Sequence, residues 1–192
     1  MAMEPVKRKW TVEEYLDYEQ ETGIKHEYID GEIYAMSGGT RRHSMIAVNC
    51  TVALGQSLRD SQCTVLNSDM RNKISDLKYV YPDFSVVCGE AHFADENETM
   101  LTNPTLVAEV ISPSSKAYDL GAKAEFYRSL GSLQVYLLID QDRAYVQLYT
   151  RREGEWLFTE YANLDDVVSL DAIGCTLPLS EIYRNVDVEA NA

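Results

Sequence analysis

The chain has 192 residues, enough for one ordinary domain with a full core and too few for two comfortable ones. Hydrophobic residues make up 45% and charged residues 25%, a globular composition rather than a disordered one. With 17 basic against 31 acidic side chains the net charge is −14. That counts against a nucleic-acid coat protein, whose footprint is a basic patch, but not against a protein in which a local cleft and a bound metal reverse the sign. The four cysteines, Cys50, Cys63, Cys88 and Cys175, form no CxxC pair, so free packed thiols in a cytoplasmic protein are expected. No apolar run approaches the roughly 20 residues that span a bilayer, so no membrane partner is expected. "MAMEPVKRKW" leads directly into a polar helix without the features of a signal peptide.

In chain order, Thr11-Val12-Glu13-Glu14 has the two partners of a capping box, so a short helix is expected to about Glu21, stopping near Gly23. Asp30-Gly31 then falls between two short runs rich in Tyr and Ile, which predicts a hairpin. From Thr40 to Asp60, Met45, Ile46, Ala53, Leu54 and Leu58 recur at helical spacing, with His43 in the first turn. Two strands are expected around Cys63–Ile74 and Tyr79–Cys88, followed by an exposed acidic loop from Gly89 to Asn103. A strand over Leu106–Ile111, a Ser112–Ser115 loop and a helix ending at Gly131 come next. "LQVYLLID", "AYVQLYTR" and "EWLFTEYA" predict three more strands, and "LSEIYR" a last short helix. With no repeat or linker, residues 1–192 read as one mixed α/β domain.

Glu109 poses the chemical question, because it sits inside the apolar run Leu106-Val107-Ala108-Glu109-Val110-Ile111. A carboxylate there is costly unless a cation meets it. Alternation puts Val107, Glu109 and Ile111 on one face. Pro82, which lacks an N–H, belongs at a strand start and would hold Asp83 at the mouth of the strand Phe84–Cys88. If the two strands pair, both carboxylates converge at one sheet end, a hard-oxygen pair of the kind that binds Mg²⁺. The alternative partner for Glu109 is a salt bridge. Lys123 lies beside the helical stripe Leu120, Ala124, Tyr127, where a lysine ordinarily snorkels to solvent.

Together "YPDFSVVC", "LVAEVISPSS" and "AYDLGAKAEFYRSL" resemble the Uma-type endonucleases, a branch of the PD-(D/E)XK restriction-endonuclease-like superfamily. "HEYIDGEIYAMS", the His43 helix and "NSDMRNKI" extend the resemblance over about His26 to Asp140. It implies a mixed sheet flanked by helices and a metal-dependent endonuclease acting on DNA. Asp83, Glu109 and the Val110 carbonyl would bind Mg²⁺ (or Mn²⁺), with Lys123 as the catalytic amine. The superfamily pattern places its lysine two residues after the acid, where this chain has Ile111, so the resemblance takes the amine from the next helix instead. Relatives of this kind often form homodimers to cut two strands. Supporting candidates are Glu27, which resembles an N-terminal acid completing such sites, His43 as a phosphate or water contact, and Asp69 as a brace or a turn residue. Arg41, Arg42, Arg71 and Lys73 offer a basic rim or plain surface solvation. Two rival readings remain: a catalytically inactive nuclease-like module binding nucleic acid or protein, and a glycosidase with Asp83 and Glu109 as its acid/base pair.

Overall fold

The computed structural model describes residues 8–188 apart from 37 and 114, so Ser37 and Ser114 of the stretches quoted above lie outside the described residues. Helix α1, Val12–Thr22, starts where the Thr11 hydroxyl accepts the Glu14 N–H and the Glu14 carboxylate accepts the Thr11 N–H. It ends at Gly23, whose φ of 66° suits a residue without Cβ. Strands β1 (His26–Ile29) and β2 (Glu32–Ala35) pair through Asp30 and Gly31, with φ of 50° and 89°. Those angles match the right-handed twist of the strands they join. Helix α2, Arg41–Ser57, is capped by Thr40 and buries Ile46, Cys50 and Leu54.

Each of the two long strands expected between Cys63 and Cys88 is broken in two. The first divides into β3 (Cys63–Asn67) and β4 (Arg71–Ser75), because the Asn67 side chain accepts the Asp69 N–H and turns the chain. The second divides into β5 (Lys78–Val80) and β6 (Phe84–Cys88) at Pro82, which cannot donate to a ladder. The halves enter different sheets. The acidic loop also contains a short strand, β7 (Met100–Leu101), parallel to β4, with Leu101 fully buried. Strands β8 (Leu106–Ile111), β9 (Val135–Asp140), β10 (Val146–Arg152) and β11 (Glu155–Tyr161) follow as expected, while β12 (Val167–Leu170) and β13 (Cys175–Pro178) were not foreseen. Helical segments α3 (Lys116–Tyr118) and α4 (Ala124–Ser129) flank a π-turn over Asp119–Lys123, and α5 is Leu179–Ile182.

The six-stranded sheet has the order β11-β10-β9-β8-β6-β3, with β8 and β9 parallel and the other neighbours antiparallel. The five-stranded sheet is β2-β1-β5-β4-β7, and β12 pairs with β13. One face of β8, through Leu106, Ala108 and Val110, packs in a core with Ile46, Cys50 and Leu54 of α2. The other face, through Val107 and Ile111, packs against Ala124 and Tyr127 of α4. Covered on both sides, β8 must be apolar along its length, and Glu109 is the exception. Among the described residues no helix is long and apolar enough to cross a membrane.

Two expectations need correction. Cys63 and Cys88 face each other in the β3–β6 register and form a disulfide, so only Cys50 and Cys175 are free thiols. Arg71 does not belong to a basic rim. It is largely buried, with its Nη2 on the Glu19 carboxylate and its Nε donating to the Tyr81 hydroxyl at 2.9 Å. Glu19, itself buried on α1, also accepts the His26 N–H and the Tyr81 hydroxyl proton. Glu19→Ala strands the guanidinium and is expected to cost about 3–5 kcal/mol, read as a lower urea midpoint. A midpoint unchanged within error contradicts this account of the α1 anchor.

Candidate active site

Strands β6 and β8 pair as Phe84↔Ala108, Ser85↔Val107 and Val86↔Leu106. Continuing that register sets Asp83 opposite Glu109 at the sheet end, the convergence the alternation required. The ladder stops at Phe84, and just beyond it the Val110 N–H donates to Asp83 Oδ2 at 2.7 Å. The same Asp83 oxygen lies 3.2 Å from His43 Nε2. The carboxylate is therefore fixed by β8 and α2 together.

Lys123 does not snorkel. Its Nζ stands 2.8 Å from Glu109 Oε1 and 2.8 Å from Glu27 Oε1, and all three residues are at most 7% exposed. The Tyr127 hydroxyl donates to Glu109 Oε1 at 3.0 Å, and the Tyr118 hydroxyl to Glu27 Oε2 at 3.2 Å. Lys123 ends the π-turn, a wide turn often found at functional sites, and the Tyr136 hydroxyl donates to the Asp119 carbonyl within it. Four acids, Glu27, Asp83, Glu109 and Asp119, act on one another here against one ammonium and one imidazole.

Burial pushes the Glu109 carboxyl well above the usual carboxylate range; Lys123 opposes the shift, while Asp83, Asp119 and Glu27 add to it. Burial likewise raises Asp119, against the pull of Lys123. For Lys123, burial disfavours the charge, but Glu109, Glu27 and Asp119 outweigh it and hold the ammonium protonated. The site is thus short of positive charge. Glu27 Oε1 is buried, and beyond its ion pair with Lys123 it accepts no well-directed hydrogen bond. Hard oxygens with excess negative charge fit a hard divalent cation, and Asp83, Glu109 and the Val110 carbonyl would hold it. As they stand, no three His, Cys, Asp or Glu side chains among the described residues are grouped to hold a metal ion, so binding asks for side-chain adjustment.

These groups line one open cleft of about 520 Å³. Gly39 is on its wall, where a Cβ would lie 2.7 Å from His43 Nδ1. The hydrogen bond to Asp83, opposed by burial and helped by the charges of Asp83 and Asp119, raises the His43 pKa above 6.5. The pair's contribution to stability is present below pH 6.5 and lost as pH rises through that raised value. Gly39→Ala pushes the ring off Asp83, and its midpoint, followed by imidazole proton NMR, is expected to fall toward 6.5. A wild-type midpoint at or below 6.5 contradicts the geometry.

Of the residues singled out in the sequence, Asp83, Glu109, Val110, Lys123, Glu27 and His43 meet at this cleft, and Asp69 does not. Asp69 lies in the exposed β3–β4 turn, paired with Lys25 and accepting from the Asn67 amide. Arg42 pairs with Asp142 and Lys73 with Asp76. Tyr118, Thr40 and Gln141 also line the cleft, and sequence reading missed them. Only the position of Thr40 just ahead of the first apolar turn of α2 hinted at one of them.

A mixed sheet flanked by helices, with an acid at the mouth of β6 and another within its neighbour β8, defines a restriction-endonuclease-like architecture. The chain belongs to the Uma2 family, described as "Putative restriction endonuclease", whose model matches residues 12–180. It is 38% identical over 181 residues to "Uncharacterized protein slr1290" of Synechocystis sp. (strain ATCC 27184 / PCC 6803 / Kazusa), covering 93% of both chains. It is 38% identical over 152 residues to "Uncharacterized protein sll1609" of the same organism, covering 78% of this chain and 86% of that one. In fold it is similar to a crystal structure titled as "a putative nuclease belonging to DUF820 from Anabaena variabilis ATCC 29413", with a TM-score of 0.74 and 21% identity. That match covers 90% of this chain and 97% of the other.

Proposed function

We propose that this protein is a divalent-metal-dependent endonuclease that hydrolyses phosphodiester bonds in DNA. The observation that carries the reading is the meeting of Asp83, Glu109 and Lys123, far apart in sequence, at one open cleft. Mg²⁺ or Mn²⁺ held by Asp83, Glu109 and the Val110 carbonyl would supply charge relief on the phosphate and a more acidic water. Lys123, kept as an ammonium by its carboxylate neighbours, acts as a fixed positive charge for the developing phosphorane-like charge rather than as a proton acceptor. Glu27 and Tyr127 orient Lys123 and Glu109. His43 holds Asp83 in place from α2.

Cutting both strands asks for two sites, so a homodimer acting on duplex DNA is part of this proposal, as is action in the cytoplasm. In that reducing compartment the Cys63–Cys88 bond would open, and the β3–β6 ladder would hold the two strands without it. The test is incubation with supercoiled plasmid, linear duplex and RNA, with Mg²⁺, Mn²⁺ or EDTA. Metal-dependent nicking or linearisation of plasmid, suppressed by EDTA, is expected. DNA binding indifferent to EDTA, with no cleavage in either metal, overturns the enzyme in favour of a binding module.

A further inference from the structure

The cleft is also lined by Gln141, a polar side chain that the chemistry above does not use. Gln141 directly follows β9, and its N–H donates to the Ile111 carbonyl at 3.2 Å, which ties it to the end of the strand that bears Glu109. It is 95% buried, since only 5% of it is exposed, yet it lines the cleft. Thr40 fixes its amide. The Thr40 hydroxyl already accepts the His43 N–H at 3.1 Å, so its single proton is free to donate to Gln141 Oε1, at 2.7 Å. That leaves Gln141 Nε2, which has two protons and no hydrogen-bond partner among the described residues. Next along the chain, Asp142 pairs with Arg42 of α2 at 3.2 Å, so the wall is tied to α2 at two successive residues.

A donor held in place through Thr40 and facing an open cleft, with no partner from the protein among the described residues, is preorganised to meet a ligand there. The neighbouring acids are not what it binds, for they already have His43, Lys123, Tyr118 and Tyr127 as partners. An incoming polyanion, by contrast, meets a cleft dominated by carboxylates and needs neutral or positive donors on the wall. We propose that Gln141 Nε2 donates to a non-bridging phosphate oxygen of the bound DNA strand, which makes Gln141 a substrate-binding residue of this site. The assignment rests on the nuclease reading above.

The experiment measures binding of labelled duplex by fluorescence anisotropy, with Mg²⁺, in the Asp83→Asn background. Gln141→Leu removes both the donor and the link to Thr40. Gln141→Glu keeps an acceptor for Thr40, removes the donor and places a negative charge where the phosphate lies. Gln141→Leu is expected to raise Kd about tenfold, the loss of one hydrogen bond to a charged group, and Gln141→Glu at least as much. A Gln141→Glu protein that binds like its parent overturns the proposal and leaves Gln141 as a prop for the α2 cap. That result stands even if the leucine variant fails to fold. Wild-type protein that cuts no DNA defeats the nuclease reading itself and the phosphate contact with it, whereas full cleavage beside unchanged Gln141→Glu binding defeats the contact alone.

Discussion

Asp83→Asn and Glu109→Gln are each expected to lower metal-dependent cleavage by at least about 10³-fold, because on the proposed mechanism each removes a ligand from a cation worth several kcal/mol to the transition state. Both substitutions are chosen to leave the fold standing. In Asp83→Asn the new amide carbonyl oxygen can still accept the Val110 N–H that now donates to Asp83 Oδ2. At position 109 burial works against the charge and pushes the carboxyl's pKa well up, and an amide of the same shape brings no charge to desolvate. Lys123 keeps Glu27 as a counterion in that variant. Initial rates on plasmid, with circular dichroism melts of both proteins alongside, check the expectation. Folded variants that cut as fast as wild type contradict the assignment of these carboxylates.

Lys123→Met should be the most destabilising change in the site. It leaves Glu27 and Glu109 buried and facing each other without their shared cation, at an expected cost of about 3–5 kcal/mol. For a chain of this size that is a fall in Tm on the order of 10 °C. The sign of its pH dependence follows from Glu109. A carboxyl whose folded pKa stands above its ordinary 4.5 favours folding at low pH, and that contribution is lost as pH rises through the raised value. The deficit of Lys123→Met against wild type should therefore be smallest at low pH and widen as pH rises through the raised value. Mg²⁺ should recover part of it, because a cation that binds only the folded protein stabilises it by mass action. Thermal melts across pH, with and without Mg²⁺, read all three effects; a deficit that stays flat with pH contradicts the ammonium's role as the internal counterion.

Much of this was legible in the sequence where a local rule fixes a local shape. The capping box at Thr11–Glu14, the Asp30-Gly31 turn and the strand start after Pro82 each follow from a few side chains acting on adjacent backbone. The pairing of Asp83 with Glu109 needed one further step, that β6 lies beside β8, and alternation then dictated the rest. What escaped depends on distant partners. The helical stripe by itself does not show that Lys123 turns inward, and only the family resemblance pointed there, because the reason is two carboxylates, one of them on the hairpin. The Glu19–Arg71–Tyr81 cluster and the Thr40–Gln141 bond likewise join elements dozens of residues apart. A lysine or arginine read alone takes the solvated default, and here the default failed for Lys123 and Arg71.

Counting bound Mn²⁺ by electron paramagnetic resonance goes to the root of the account, since it asks whether a cation sits between residues 83 and 109 without asking for turnover. Saturable binding of Mn²⁺ by the wild-type chain, displaced by Mg²⁺ and severely weakened in both Asp83→Asn and Glu109→Gln, is the expected result. Equal Mn²⁺ affinity in the three proteins would contradict it.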